Sequence, residues 1–215
     1  MSVSKKIKEK LEKAIRFRKE HKYEAAIEIV ENLFRDEPQS KEIKENLVET
    51  LIDYGGFLND EQWDLEVERA EEMFRRASEI DPMNHRAWYN LGIAQFNLGK
   101  YDEALKNYNK ALEIKPDYSY CYYNTGLLYE LVLKDFQKAL YYYDKATSYN
   151  ENLTYAIQAK NDLRRKIDAI KKDKSEPTEP SISLSEEPKN HKLCNNCGTL
   201  NRPVAKFCDK CGKKI

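Results

Sequence analysis

Residues that make tight turns are scarce in this sequence. It has 7 Gly and 7 Pro among 215 residues, which disfavours an all-β protein and leaves long helices as the expectation. It has no run of about eighteen apolar residues, so a membrane-spanning helix is excluded. The first eight residues contain no apolar stretch of the secretory type. We therefore expect a cytoplasmic protein.

Groups that commonly carry catalysis are also few. Three histidines, His21, His85 and His191, lie in three separate regions, and no glycine-rich phosphate loop is present. No nucleophile and base can be paired from the sequence, and the many Glu residues have the spacing of solvated helix faces. The sequence therefore predicts a protein that is not an enzyme.

Charge is balanced overall, with 37 basic and 37 acidic residues, but it is not evenly distributed. Residues 1–22 hold nine basic and three acidic side chains, and residues 191–215 hold six basic and one acidic. The basic ends are explained either by the solvated face of a first helix or by contact with nucleic acid.

A period of 34 residues runs through the middle of the chain. It relates the pairs Pro82 and Pro116, Gly92 and Gly126, Tyr89 and Tyr123, Asn90 and Asn124, Ala70 and Ala104, and Ala77 and Ala111. Between His85 and Pro116 the apolar residues follow helical spacing twice, separated by a turn at Asn97 to Lys100. Each repeat is therefore predicted to be a pair of helices that approach closely at a small residue such as Gly92.

The motif Trp88, Leu91-Gly92, Tyr101, Ala104, Tyr108, Ala111 and Pro116 resembles the tetratricopeptide repeat. The resemblance covers residues 5–172 and implies an all-α solenoid of helical hairpins. Its four repeats are expected at about 7–40, 41–84, 85–118 and 119–152, with a capping helix at 154–172. The second repeat is about ten residues too long, and we place the extra residues at 55–63, between its two helices.

In the tetratricopeptide family the first helix of each repeat lines a concave groove that binds a peptide or helix of a protein partner. The resemblance implies that nine residues line this groove here: Arg86, Tyr89, Asn90, Ile93, Asn97, Tyr120, Tyr123, Asn124 and Leu127. The second repeat would add Glu45, Asn46, Glu49 and Asp53. Family members that hold a carboxylate tail use a set of cationic residues that is not matched here, since Leu11 and Ile15 occupy the first-repeat positions. Binding of chaperone tails is therefore not expected.

Residues 173–190 contain three Pro, four Ser and five acidic residues, which predicts a disordered linker. Two CxxC pairs follow, Cys194 with Cys197 and Cys208 with Cys211, each followed by Gly. Four thiolates in two such pairs complete a tetrahedral, closed metal site. The pattern resembles a zinc ribbon over residues 191–215 and predicts structural Zn²⁺, with rubredoxin-like iron as the alternative metal.

Two functions from different classes remain open at this point. The leading one is an adaptor or scaffold whose repeats bind a protein partner and whose zinc ribbon makes a second contact. The alternative is a factor that contacts RNA or DNA through the zinc ribbon and the basic N-terminal helix. Self-association through the repeats is a further possibility.

Overall fold

The computed structural model describes residues 5–60, 64–175, 192–193 and 200–201. This part of the chain contains nine helices and two short strands. The helices are α1 (Lys5–Lys19), α2 (Tyr23–Asp36), α3 (Lys41–Asp60), α4 (Asp64–Ile80), α5 (His85–Asn97), α6 (Tyr101–Ile114), α7 (Ser119–Leu131), α8 (Phe136–Tyr149) and α9 (Thr154–Ser175). The strands are β1 (Lys192–Leu193) and β2 (Leu200–Asn201). Two compact units, Met1–Lys171 and Lys172–Ile215, are distinguished.

The first unit is a stack of helical hairpins. Helices pair in sequence order as α1 with α2, α3 with α4, α5 with α6 and α7 with α8, and each hairpin also contacts the next. The first helices of successive hairpins touch one another, α1 with α3, α3 with α5 and α5 with α7. This arrangement is the expected all-α solenoid, in which each repeat buries its apolar faces against its neighbours.

Helix α9 covers the apolar face that the fourth hairpin would otherwise expose. Leu163 and Ile167 of α9 pack in one cluster with Ala139 and Tyr143 of α8. Leu163 is only 1% exposed, as a terminal cap requires. Ile170, near the C-terminal end of the same face, is 39% exposed.

In three of the four hairpins a glycine lies where the two helices cross, against an aromatic ring. A Cβ atom on Gly92 would lie 2.6 Å from the ring of Tyr108, and one on Gly126 would lie 2.6 Å from the ring of Tyr143. These distances are about 1 Å shorter than an ordinary carbon contact. The same relation holds between Gly55 and Phe74 in the second hairpin.

The contact between Gly55 and Phe74 shows where the extra residues of the second repeat lie. Pro38 precedes Gly55 by 17 residues, whereas Pro82 precedes Gly92 by only 10. The prediction that the extra residues lie at 55–63 is therefore wrong for most of them. Measured from this crossing, seven of the ten extra residues, about two turns, lie before Gly55 in α3. The other three extra residues lie between Gly55 and Phe74. Two adjacent glycines suggested a turn, but both lie inside α3.

The turns within hairpins show one repeated backbone feature. Gly99 adopts a positive φ of 73°, which glycine tolerates without strain. The equivalent positions in the first and fourth hairpins are His21 and Lys134, with φ of 57° and 56°. Side chains at these two positions cost free energy that a glycine would not.

In the second unit, β1 and β2 pair antiparallel, with Lys192 opposite Asn201 and Leu193 opposite Leu200. The first CxxC pair lies between these strands in the sequence. The four cysteines predicted to bind zinc, and the predicted linker from residue 176 onward, lie outside the described residues.

Candidate functional site

All nine residues predicted to line the groove lie on the first helices of the third and fourth hairpins, and none is fully buried. Asn97 and Tyr120 are exposed, and the other seven are half-buried. These residues are therefore available to solvent to different degrees, and their contacts within the chain distinguish them.

Two ion pairs join the first three hairpins on this side. Nη1 of Arg86 donates to both carboxylate oxygens of Glu49, at 2.9 and 2.8 Å. Nε of Arg18 lies 3.5 Å from a carboxylate oxygen of Asp53. Two of the acidic side chains that the second repeat was expected to add to the groove are therefore compensated by arginines of the neighbouring repeats.

The environment of the pair between Arg18 and Asp53 is partly desolvated. Burial raises the pKa of Asp53, and Glu49 adds to this effect, while Arg18 and Arg86 oppose it. Nη1 of Arg18 is buried and has no hydrogen-bond partner within the described part of the chain. Sequence alone did not identify Arg18, because a cation in a basic first helix gave no signal that it faces an acid.

Asn90 and Asn124 occupy equivalent positions but differ in their contacts. Nδ2 of Asn124 donates to the phenol oxygen of Tyr89 at 3.0 Å, so its amide already has a partner in the preceding repeat. The residue equivalent to Tyr89 in the second repeat is Ile52, which offers no such partner to Asn90. Among the described residues, the Asn90 side chain accordingly makes no hydrogen bond.

Tyr89 is held firmly as part of the wall. Its ring meets Tyr118 in a T-shaped contact at 4.9 Å and lies 6.1 Å from Tyr108. Burial raises the pKa of the Tyr89 phenol, and the neighbouring tyrosines add to this effect. The phenol therefore stays neutral and serves as the acceptor for Asn124.

A second group of tyrosines is open to solvent. Tyr120 and Tyr155 are 44% and 39% exposed, and their rings are 6.4 Å apart. Tyr155 also meets Tyr123 in a T-shaped contact at 4.6 Å. Tyr155 lies in the predicted capping helix and was not among the residues predicted to line the groove. Extending the repeat once more would have placed it in the groove, because it lies 35 residues after Tyr120 and the fourth repeat has one extra residue.

The described residues offer neither a metal site nor a membrane span. Within them, no three His, Cys, Asp or Glu side chains come together as a metal site. Cys121 is buried and its thiol donates to the Tyr108 carbonyl at 3.3 Å, as expected for a packing residue. No described helix has the length and apolar character needed to cross a membrane.

Family models match two parts of the chain. The model of the tetratricopeptide repeat matches residues 85–118, and the model of the zinc-ribbon domain matches residues 193–215. The zinc-ribbon match covers all four cysteines of the two CxxC pairs.

Relatives match this chain over short segments. The chain is 34% identical over 91 residues to anaphase-promoting complex subunit 3 of Schizosaccharomyces pombe, and 41% identical over 59 residues to the STIP1 homolog of Dictyostelium discoideum. These matches cover 42% and 27% of this chain but only 14% and 10% of those proteins. A third relative, uncharacterized protein MJ0572 of Methanocaldococcus jannaschii, is 33% identical over 60 residues, which are 28% of this chain and 70% of that protein.

Solved structures share the fold. A tetratricopeptide repeat protein from Parabacteroides merdae superposes with a TM-score of 0.60 at 21% identity, covering 79% of this chain and 63% of that one. MamA superposes with a TM-score of 0.57 at 22% identity, covering 75% of this chain and 90% of that one. The first tetratricopeptide-repeat domain of RPAP3, bound to an HSP90 peptide, superposes with a TM-score of 0.51 at 18% identity, covering 56% of this chain and 92% of that one.

Proposed function

We propose that this chain, which matches the tetratricopeptide-repeat model at residues 85–118 and shares the fold of such proteins, is a non-catalytic adaptor whose groove binds a segment of a protein partner. The observation that carries the proposal is the Asn90 side chain. It is half-buried, it lies on the groove-lining helix α5, and neither its donor nor its acceptor is used within the described part of the chain. An amide with both capacities free can pair with the backbone of a bound peptide.

The surroundings of Asn90 indicate what kind of segment would bind. The ion pairs of Arg86 with Glu49 and of Arg18 with Asp53 leave this part of the groove nearly neutral. The exposed rings of Tyr120 and Tyr155 offer apolar area with a polar tip, a combination that is enriched at interfaces. A segment with apolar side chains and an accessible backbone therefore fits better than a strongly charged one.

A carboxylate tail fits less well. RPAP3 binds an HSP90 peptide through a domain of this fold. In the present chain, Leu11 is 2% exposed and Ile15 is half-buried at the first-repeat positions where carboxylate-binding family members have polar and cationic side chains. The cation that is present, Arg86, is already bound to Glu49 through both carboxylate oxygens.

We further propose that the zinc ribbon provides the second contact. Cys194, Cys197, Cys208 and Cys211 form the donor set of a closed, structural Zn²⁺ site, and a thiolate set suits zinc. A tether between two binding modules raises the effective concentration of the second at the partner of the first. Zinc analysis of the purified chain is expected to give one metal ion per chain, which Cys194→Ser should abolish.

The groove proposal can be tested with peptides selected from a random display library on the intact chain. Asn90→Ala and Tyr120→Ala should each weaken the affinity for the selected peptides about 5- to 30-fold. This range corresponds to a loss of about 1–2 kcal/mol of binding free energy at the interface. Asn109→Ala is the matched control, because Asn109 is exposed on α6, outside the groove. Peptides whose affinity is unchanged by both groove variants would contradict the proposal.

A further inference from the structure

A second concave site lies at the first two hairpins. It is a cavity of about 380 Å³, within the size range of small-molecule sites. It lies between the turn that joins α1 and α2, the second half of α3 and the start of α4. We call it the α3 pocket, and its lining residues are His21, Tyr23, Glu24, Tyr54, Phe57, Leu58, Glu66 and Arg69.

Four of its eight lining residues carry aromatic rings. Tyr23 and Tyr54 stack at 5.2 Å with an angle of 21°, and both are nearly fully buried. The rings of Phe57 and His21 lie 5.5 and 5.7 Å from Tyr23. Phe57 is 44% exposed, so its ring borders solvent. Aromatic faces carry negative electrostatic potential and attract cations.

The charged groups of the pocket leave an excess of negative charge. Arg69 donates from Nη1 to both oxygens of Glu66, at 3.2 and 2.8 Å, and lies 3.6 Å from Glu24. The lining therefore holds two carboxylates and one guanidinium, a net charge of −1 with His21 counted as neutral. The guanidinium carbon of Arg69 lies 5.8 Å from the Tyr54 ring centroid, so the pocket already holds one cation against an aromatic ring.

Hydrogen bonds fix these groups in place. Tyr54 donates its phenol hydrogen to Glu24 and accepts from Nη2 of Arg69 at 2.6 Å. Burial, together with the hydrogen bond to Glu24, raises the pKa of Tyr54 to about 12, so the phenol stays neutral. The oxygens of Glu66 and one oxygen of Glu24 are thus already engaged. Few acceptors are left for a ligand that must donate several hydrogen bonds.

The fold of the repeat does not require this wall. The crossing of Gly55 with Phe74 corresponds to that of Gly92 with Tyr108, so Tyr54 and Phe57 correspond to Leu91 and Ala94 in the third repeat. Two aromatic residues therefore stand where the third repeat packs with aliphatic ones. Glu66 lies in the added first turn of α4, which results from the three extra residues between Gly55 and Phe74.

We propose that the α3 pocket binds an alkylated ammonium ion, the chemical group of choline and of methylated lysine. Such a cation is attracted by the rings and by the excess negative charge. It needs few or no hydrogen-bond acceptors, unlike a primary ammonium, which has three donors to satisfy. Its alkyl groups also bury apolar area against Phe57 and Leu58.

The test is a calorimetric titration of the full chain with choline and with 3,3-dimethylbutan-1-ol, in which carbon replaces the cationic nitrogen. Choline should bind at least about 3-fold more tightly than the neutral analogue, and Phe57→Ala and Glu24→Gln should each weaken choline about 2- to 5-fold. Both side chains reach solvent, so the variants are expected to fold. Tyr141→Ala is the matched control, since Tyr141 is 55% exposed on α8.

The source of the ammonium group is tested in a second arm with a peptide that carries trimethyllysine. Binding of the peptide but not of choline assigns a modified protein, and the reverse assigns a free or lipid-borne choline group. Either result supports the proposal. It is overturned if neither probe binds, if the neutral analogue binds as tightly as choline, or if Phe57→Ala and Glu24→Gln both leave the affinity unchanged. These outcomes are independent of the groove, because Asn90→Ala should not affect them.

Discussion

Two glycines in first helices of the hairpins should respond in opposite ways to the same substitution. Gly92→Ala places a Cβ 2.6 Å from the Tyr108 ring and 3.2 Å from the Ala104 carbonyl oxygen, whereas Gly56→Ala meets nothing within 4 Å. Alanine favours a helix over glycine by about 1 kcal/mol. Overpacking costs about 1–3 kcal/mol, and the upper end applies because Tyr108 is only 1% exposed and cannot turn away. We therefore expect Gly92→Ala to lower the free energy of unfolding by about 2 kcal/mol and Gly56→Ala to raise it by about 1 kcal/mol.

Urea denaturation followed by far-ultraviolet circular dichroism measures both changes. The double variant Gly92→Ala with Tyr108→Leu adds a check, because removing the ring should remove most of the cost of the alanine. If Gly92→Ala were as stable as Gly56→Ala, the close crossing of α5 and α6 would not be the reason for the glycine, and the assignment of Gly55 as its equivalent would fail with it.

Three further predictions concern stability. Burial opposes ionisation of Glu71, but hydrogen bonds from Lys100 and Gln95 outweigh it and lower its pKa below 4.5. The contribution of Glu71 to the free energy of unfolding is therefore present above pH 4.5 and is lost as the pH falls further. When stability is measured against pH, Glu71→Gln should lose less free energy of unfolding in acid than the native chain does. Lys134→Gly should raise the free energy of unfolding by up to about 1 kcal/mol, because it relieves a positive φ at little cost in a turn. In urea titrations, Leu163→Ala should lower the free energy of unfolding by about 2–5 kcal/mol, because Leu163 is buried. Leu131 is 51% exposed, so Leu131→Ala should change the free energy of unfolding by no more than about 0.5 kcal/mol.

The sequence was enough to predict the hairpins, because side chains at the crossing, such as Gly92 and Ala104, recur at a fixed interval. It was not enough to place the extra residues of the second repeat. Gly55 and Gly56 have the composition of a turn, and only the contact with Phe74 shows that Gly55 is the crossing glycine of a longer helix. A local preference was overridden by packing between helices.

The groove was predicted from equivalent positions, and this approach has a clear limit. Equivalence implied one role for Asn90 and Asn124, but the role also depends on the residue in the preceding repeat. That residue is Tyr89 for Asn124 and Ile52 for Asn90, so the Asn124 amide is bound internally, whereas the Asn90 amide makes no hydrogen bond to any residue that the structure describes. The α3 pocket could not be predicted at all, because its lining residues come from three helices and a turn that are far apart in the sequence.

The added segment at the start of α3 has the length of a heptad. Seven residues turn a helix by about 700°, only about 20° short of two full rotations. The inserted stretch therefore points its side chains in nearly the same directions as the stretch it precedes, and Ile43 and Leu47 are buried like Thr50 and Tyr54, seven residues later. Removing seven residues there should keep the front of the array in nearly its present orientation but lose the burial of Ile43 and Leu47, while removing five would rotate the front by about 140° relative to the later hairpins.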